Sequence, residues 1–501
     1  MTRGTILDGF LRSARAAPDA PAVSFGPEQL TYRDLDERSD ALARRLRGLV
    51  ARETPVAFRL RKGPDALGLM LACLRAGLPY VPVDVVAPAA RVAAVLERSR
   101  PGLLVHDDEG DPPAVTSGRA LRLDELVDAG RTAPVEGEAG EDDLAYVLFT
   151  SGSTGDPKGV TITQRNAAAF VHWAVEYAEL RPTDRVAVHA PLHFDLPVFD
   201  VFGSLAARAC VVPLDESVTL FPQALLRRLA SERVSVLYAV PSALIGLLDR
   251  SSLAQDGLPH LRLLLYAGEE FHPTPLARLA ETLRGVPIHN WYGPIETNVV
   301  TAIRITPELL RRPRIPLGRE AMHAAVALLD GGAVVEEPDR EGEIVVAGPT
   351  VSPGYLGDPE LTRSARVRLR VGDLEAEWHR TGDWGSRDAA GVLHFHGRRD
   401  GMVKTRGFRV ELGDVEAALA GHPAVSEAAV VARADSRFTN LLYAFVVPGA
   451  PVSEDVLEAW CRDLLPAYMV PQRIRIEERL PRTSTGKIAR RELFDRLARD
   501  A

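Results

Sequence analysis

One stretch of the chain concentrates the groups that handle phosphate: Thr150-Ser151-Gly152-Ser153-Thr154-Gly155-Asp156-Pro157-Lys158-Gly159. Glycines let backbone N–H groups approach phosphate oxygens, hydroxyls donate to them, and an ammonium offsets their charge. The stretch follows Leu144–Thr150, an apolar run with a strand's composition. Lys158 is followed by Gly159, so the GxxxxGKS/T spacing of a Walker loop is absent. A second ammonium, Lys487, closes Pro481-Arg482-Thr483-Ser484-Thr485-Gly486-Lys487. Residues 484–487 spell SxxK, but the partner motifs of a β-lactamase-type site are missing and that reading is set aside.

The lysines are informative because they are scarce. Of 60 basic residues, four are lysines (Lys62, Lys158, Lys404, Lys487) and 56 are arginines. A chain that uses Arg for its surface cations keeps Lys where a compact ammonium on a flexible stem is needed. Lys158, Lys404 and Lys487 fall inside glycine-containing motifs and read as functional. Lys62, beside Arg61 in a loop, reads as chance.

These groups must be held by a sizeable scaffold. The chain has 501 residues, 46 % hydrophobic and 26 % charged, with a net charge of −8. That is enough for about three packing units of an ordinary globular protein, and it excludes collagen, coiled coil and disorder. The acidic balance, with no basic stripe, argues against nucleic acid as a main partner. No apolar run is long enough to cross a bilayer, and residues 1–20 are interrupted by Arg3, Asp8, Arg12 and Arg15, unlike a signal peptide. A cytoplasmic location with no membrane partner is expected. Cys73, Cys210 and Cys461 form no CxxC and read as buried apolar side chains.

The pattern predicts alternating strands and helices up to about residue 300. Helices are expected over 33–50, 64–76 (closed by Gly77), near 197–207 and over 242–249. Strands are expected over 55–60, 78–83, 144–150, 185–189, 234–239 and 261–266. Such alternation implies parallel sheet covered by helices. Residues 310–397 turn β-rich, with strands over 324–329, 342–347 and 391–396. After Asp400 the order helix, strand, strand, helix, strand, helix describes a compact α+β lid. The expected fold class is thus α/β plus α+β.

The ordered motifs resemble the adenylate-forming superfamily of acyl-CoA synthetases, nonribosomal-peptide adenylation domains and luciferases. The resemblance covers essentially the whole chain. Besides residues 150–159 it is carried by Leu74–Asp84, by Asn290-Trp291-Tyr292-Gly293-Pro294-Ile295-Glu296-Thr297 and by Gly342-Glu343-Ile344-Val345. It continues through Arg380-Thr381-Gly382-Asp383, Gly397–Asp400, Lys404–Glu411, Leu465-Pro466-Ala467-Tyr468-Met469 and Thr485-Gly486-Lys487. It implies an N-terminal adenylation core over residues 1–399 and a mobile lid over 400–501 that turns about Asp400. It also implies that Thr150, Ser151, Gly152, Ser153, Thr154, Gly155 and Lys158 cradle the phosphates of ATP. Gly268, Glu269, Glu270 and Tyr292 would sandwich the adenine and Asn290 bond its edge. Asp383 would accept the ribose hydroxyls with support from Arg398, and Glu296 would hold Mg2+. Lys487 would offset the charge that develops as a carboxylate attacks the α-phosphorus, and Lys404 joins it as a catalytic candidate. Ile295 departs from the usual Thr, so Thr297 or Thr150 is expected to supply that hydroxyl.

Phe194-Asp195-Leu196-Pro197-Val198-Phe199-Asp200 resembles the amino-acid-activating branch, in which this Asp pairs with the substrate ammonium; the alternative is a helix N-cap ahead of Pro197. An unpaired buried carboxylate costs several kcal/mol, which disfavours a fatty-acid pocket here. The branch's pocket positions carry over as Asp195, Leu196, Phe199, Tyr238, Leu265, Ala267, Trp291, Val299, Val300 and Lys487. The wall is uncharged apart from Asp195 and Lys487, and Phe199, Tyr238 and Trp291 are bulky. The expectation is a small neutral L-amino acid, alanine-like first. Proline is second, since Leu196, Tyr238, Leu265 and Ala267 resemble proline-activating enzymes whereas Trp291 departs from them. With no GGxS or HHxxxDG segment, the chain reads as a stand-alone enzyme that loads the phosphopantetheine thiol of a separate acyl or peptidyl carrier protein. An acyl-CoA synthetase is the alternative within the same chemistry. A P-loop kinase and a non-catalytic nucleotide-binding protein are the alternatives outside it.

Overall fold

A computed structural model describes residues 4–108, 113–128, 139–150, 157–321, 324–399, 401–435, 439–482 and 488–499. The chain forms two compact units. The first comprises residues 1–85, 96–148 and 159–397; the second comprises residues 86–95, 149–158 and 398–501.

The first unit carries two large sheets of short strands. In one, Lys158–Thr163, Leu144–Thr150, Tyr80–Pro82, Val56–Arg59, Leu103–His106 and Arg119–Arg122 are neighbours in that order. In the other, the central run Ile288–Tyr292, Leu263–Tyr266, Val236–Ala239, Arg185–Val188 and Cys210–Pro213 is parallel throughout. Leu263–Tyr266 and Val236–Ala239 are buried at every position, which is why they read as unbroken apolar runs rather than alternating ones. Helices Pro64–Arg75 and Pro241–Arg250 begin on proline, and the first is closed by Gly77 at φ 65°.

The β-rich sheet of the first unit places Glu341–Ala347 between Ala325–Asp330 and the long strand Leu374–Arg387. The helix expected near Pro197–Ala207 is instead a π-helical turn, Val198–Gly203, running into a short α-helical turn, Ser204–Ala206. Wide turns of this kind are rare and tend to mark functional positions.

The second unit carries the hairpin Met402–Thr405/Phe408–Glu411 and a sheet ordered Val425–Asp435, Thr439–Pro448, Arg473–Ile476, with helices Leu412–Ala420, Glu454–Leu464 and Arg490–Arg499. Its core gathers Val410, Val415, Leu419, Val430, Leu442, Leu457 and Cys461. All three cysteines are buried and free. Among the described residues no helix is long and apolar enough to cross a membrane.

Candidate active site

The segment after strand Arg185–Val188 carries Asp195. Asp195 directly precedes the helical turns that begin at Leu196 and run into Val198–Gly203, and its carbonyl accepts from Val198 N–H at 3.1 Å. Asp195 is partly buried, and its charge is felt by the phenols of Tyr146 and Tyr238, whose ionisation burial already opposes. His193, two residues earlier, stands 3.9 Å from Asp84 at the end of the Leu74–Asp84 motif.

Leu196, Phe199, Tyr238, Leu265, Ala267, Trp291 and Val299 fall into one buried cluster. Phe199, Tyr238 and Trp291 meet edge to face, with centroids 5.2 Å apart for Phe199–Trp291 and Tyr238–Trp291 and 5.8 Å for Phe199–Tyr238. Each such pair adds about 0.5–1.5 kcal/mol beyond area burial, so the three rings form a stiff wall. Val300 does not join them. It packs with Tyr292, Leu317, Ile344 and Val346, on the opposite side of the chain from Val299.

A tight crossing builds the turn after Trp291. A Cβ on Gly293 would lie 1.6 Å from the Asn298 carbonyl oxygen, so only glycine fits there. Asn298 adopts φ 53°, and the Thr297 hydroxyl donates to the carbonyls of Pro294 (3.2 Å) and Asn298 (3.1 Å). That hydroxyl is thereby committed within the turn, and Ile295 packs against the core. Glu296 is 3 % exposed, with Oε1 accepting from the Tyr355 hydroxyl at 2.8 Å. A buried carboxylate is the hard oxygen donor that Mg2+ takes, since this ion uses one or two carboxylates and completes its shell with water and phosphate. Among the described residues no group of three or more His, Cys, Asp and Glu is gathered for a metal.

Of the nucleoside candidates in the first unit, Asn290 and Tyr292 end strand Ile288–Tyr292, Gly268–Glu270 follow strand Leu263–Tyr266, and Asp383 lies within strand Leu374–Arg387. The Tyr292 hydroxyl donates to Asp383 Oδ2 at 2.7 Å, and both residues are buried. Asp383 is placed by an irregularity: Glu343 pairs with Trp384 but Val345 pairs with Arg380, so three residues oppose one. Glu343 holds the bulge through Arg380 Nε (3.0 Å) and Gly382 N–H (3.2 Å). Thr381 donates to Ile344 O at 2.7 Å and accepts from Asp383 N–H at 3.1 Å. The Arg380–Asp383 motif is therefore a device for aiming one carboxylate. Asn290 Nδ2 donates to Pro316 O at 3.0 Å, and Gly268 has φ 90°. Glu269 turns its carboxylate to the start of helix Pro241–Arg250, accepting from Ser242 N–H at 2.8 Å, while Glu270 stands 3.6 Å from Arg314.

The cations lie in the second unit. Lys158 Nζ stands 3.7 Å from Glu411, and the Thr150 carbonyl accepts from Arg91 at 3.2 Å. Lys404 sits on a two-residue hairpin whose turn, Arg406-Gly407, has φ 52° and 84°, the geometry that matches strand twist. Its carbonyl accepts from Asn440 Nδ2 at 2.8 Å, and Phe408 stacks on Tyr468. Arg398 ends the strand Leu393–Arg398. Ser151, Gly152, Ser153, Thr154, Gly155, Asp400 and Lys487 lie outside the described residues.

Comparison with known proteins decides the family. A profile of the AMP-binding enzyme family matches residues 10–356, and one of the AMP-binding enzyme C-terminal domain matches residues 414–487. The chain belongs to the AMP-binding enzymes. It is 36 % identical to an L-proline--[L-prolyl-carrier protein] ligase of Streptomyces coelicolor, over 96 % of this chain and 95 % of that one. It is 32 % identical to a D-alanine--D-alanyl carrier protein ligase of Listeria monocytogenes, over 96 % of each. Among solved structures, holo-PA1221, an NRPS protein containing adenylation and PCP domains, superposes with a TM-score of 0.87 at 27 % identity, covering 99 % of this chain and 84 % of that one. The protein is thus an adenylate-forming enzyme of the ANL superfamily, with its large N-terminal and small C-terminal α/β architecture.

Several residues of this AMP-binding enzyme escaped the sequence reading. Trp173 and Tyr177 back Trp291, with centroids at 5.1 and 5.7 Å, and the Tyr177 hydroxyl shares a hydrogen bond of 2.9 Å with His289 Nδ1. Both lie on helix Gln164–Tyr177, with no motif to flag them. Tyr146 and Asn298 are buried neighbours, and the Tyr146 phenol feels the charge of Asp195. Because Trp291 closes the aromatic wall, Trp291→Leu is expected to raise the ratio of kcat/KM for proline over alanine by about tenfold or more, the range one or two methylenes command in an apolar pocket. Pyrophosphate exchange with the two amino acids measures it; an unchanged ratio would mean that Trp291 does not limit the pocket.

Proposed function

We propose that the enzyme activates a small neutral L-amino acid, alanine-like in size, as its adenylate, and then loads it on the phosphopantetheine thiol of a carrier protein. The observation that carries this reading is the partly buried Asp195 carboxylate beside a closed, uncharged wall of Leu196, Phe199, Tyr238, Leu265, Ala267, Trp291 and Val299. The carboxylate suits the substrate's α-ammonium, and the wall offers no partner for a charged side chain. Relatives named as carrier-protein ligases of proline and D-alanine support an amino acid of this size and a carrier as acceptor. Proline is the second reading, favoured by the identity to the prolyl-carrier ligase over nearly the whole chain.

In the proposed reaction an oxygen of the amino-acid carboxylate attacks the α-phosphorus of ATP. The bond to pyrophosphate breaks, and the carrier thiol later displaces AMP. Asp383 accepts the ribose hydroxyls, Tyr292 and the Gly268–Glu270 turn flank the adenine, and Asn290 bonds its edge. Thr150 and the following loop, with Lys158, hold the phosphates, with Thr150 supplying the hydroxyl that Ile295 lacks. Glu296 would hold Mg2+, which supplies charge neutralisation on the phosphates. Lys487 offsets the charge that develops in the attack, and the lid that carries it turns about Asp400 before the thioester forms.

Amino-acid-dependent exchange of pyrophosphate into ATP, run across the standard amino acids and common nonproteinogenic ones, tests the proposal. Alanine-sized neutral substrates, or proline, are expected to support the highest rates, with charged side chains near background. Exchange driven by plain carboxylic acids and by no amino acid would overturn it. Offering coenzyme A in place of a carrier protein in the thioester step separates this reading from an acyl-CoA synthetase.

A further inference from the structure

The strand that carries Trp291 is held from behind as well as from the pocket. Leu265 lies opposite Tyr238 on one neighbouring strand and opposite His289 on the other, so these three residues share one face of the sheet. Trp291, two positions after His289, falls on that face too. Leu237, Leu264 and Ile288 face the other way, into a separate core. Helix Gln164–Tyr177 covers the first face, and its Phe170, Trp173 and Tyr177 form one stripe at helical spacing.

Trp291 is 1 % exposed and meets rings from two elements. Phe199 and Tyr238 approach it from the wall; Phe170 (6.5 Å), Trp173 (5.1 Å) and Tyr177 (5.7 Å) approach it from the helix, centroid to centroid. Trp173 and Tyr177 stand 5.0 Å apart, so the stripe is itself packed. The 2.9 Å hydrogen bond between the Tyr177 hydroxyl and His289 Nδ1 joins the last residue of the helix to the strand, two positions before Trp291. Burial lowers the His289 imidazole to about 4, with Arg304 acting the same way, and raises the Tyr177 phenol to about 12. The bond therefore joins two neutral groups at working pH. One neutral hydrogen bond adds little to the stability of a whole chain, so its use is sought in what it fixes. An indole that yields to a longer substrate must move toward the helix. With Tyr177 tied to the strand, its ring cannot swing aside to make that room in a close-packed layer.

We propose that Tyr177, tied to His289, and Trp173 are specificity-determining residues that act through Trp291: they hold its indole against the amino-acid pocket and keep that pocket shallow. The assignment rests on the proposed reading of the wall as a site for a small neutral amino acid.

The test measures pyrophosphate exchange with proline and with alanine for Tyr177→Phe and Trp173→Leu, each alone and combined with Trp291→Leu. Trp173→Leu opens space behind the indole and is expected to raise the ratio of kcat/KM for proline over alanine by about tenfold. Tyr177→Phe removes one hydroxyl and is expected to raise it by about threefold. The ATP KM should stay within about twofold in both. Combined with Trp291→Leu, neither change should move the ratio by more than about twofold, because the indole through which they act is gone. Tyr177→Phe keeps the ring and decides the matter if Trp173→Leu does not fold. An unchanged ratio in a folded single variant, the same shift in the Trp291→Leu background, or a parallel rise in the ATP KM would overturn the proposal. If Trp291→Leu itself leaves the ratio unchanged, the reading of the wall falls with it. If Trp291→Leu moves the ratio while Tyr177→Phe and Trp173→Leu do not, the proposal alone falls.

Discussion

Lys487→Ala is expected to lower the rate of adenylate formation by about 100- to 1,000-fold, the loss seen when one preorganised charge-stabilising donor is removed. The reason lies in the step itself. A carboxylate approaches a phosphorus already surrounded by anionic oxygens, and negative charge accumulates on the α-phosphate as the bond to pyrophosphate lengthens. An ammonium brought there acts most strongly in the transition state, so the loss should appear in kcat for the forward step rather than in the ATP KM. Transfer of an amino acid from preformed adenylate to the carrier thiol builds no such charge and should be nearly unaffected. Single-turnover measurement of the two half-reactions checks this. Near-normal adenylation, or equal loss in both halves, would remove Lys487 from the role.

Asp195→Ala is the second large effect. It leaves the substrate ammonium to be desolvated without a partner, which for a buried ion pair costs about 3–5 kcal/mol, or roughly 100-fold and more in kcat/KM for the amino acid. The same change removes a penalty for a substrate with no ammonium. Discrimination between alanine and propionate should therefore collapse from the amino-acid side, with propionate unchanged or improved. Equal loss for both acids would mean that Asp195 supports the fold rather than the ammonium.

Much of the fold was legible in the chain because strands covered on both faces leave unbroken apolar runs and helix ends carry proline and glycine. Leu263–Tyr266 and Val236–Ala239 read as strands from apolar runs alone, and Gly77 and Pro64 punctuated their helix by backbone geometry. The strand Leu374–Arg387 was invisible for the converse reason. It carries Glu375, Glu377, Arg380, Asp383 and Arg387, and its register is broken where Asp383 is aimed, so no period of two survives. The turn at Val198–Gly203 carries a helical pattern, and its apolar spacing does not tell π from α. Lys62 reads as a loop cation, yet it is 2 % exposed and its Nζ donates to His189 O at 2.7 Å, a partner 127 positions away that no local pattern reveals. Val300 differs from Val299 only in which side of the chain it faces.

A zwitterion gripped at Asp195 and a nucleotide held at Asp383 are expected in one cleft. The most direct test is a crystal structure with a non-hydrolysable aminoacyl sulfamoyl adenosine carrying the best substrate of the exchange assay. The ammonium is expected within hydrogen-bonding distance of the Asp195 carboxylate, the side chain against Phe199, Tyr238 and Trp291, and the ribose hydroxyls on Asp383. A ligand bound with Asp195 turned away from its ammonium, or with the ribose clear of Asp383, would contradict it.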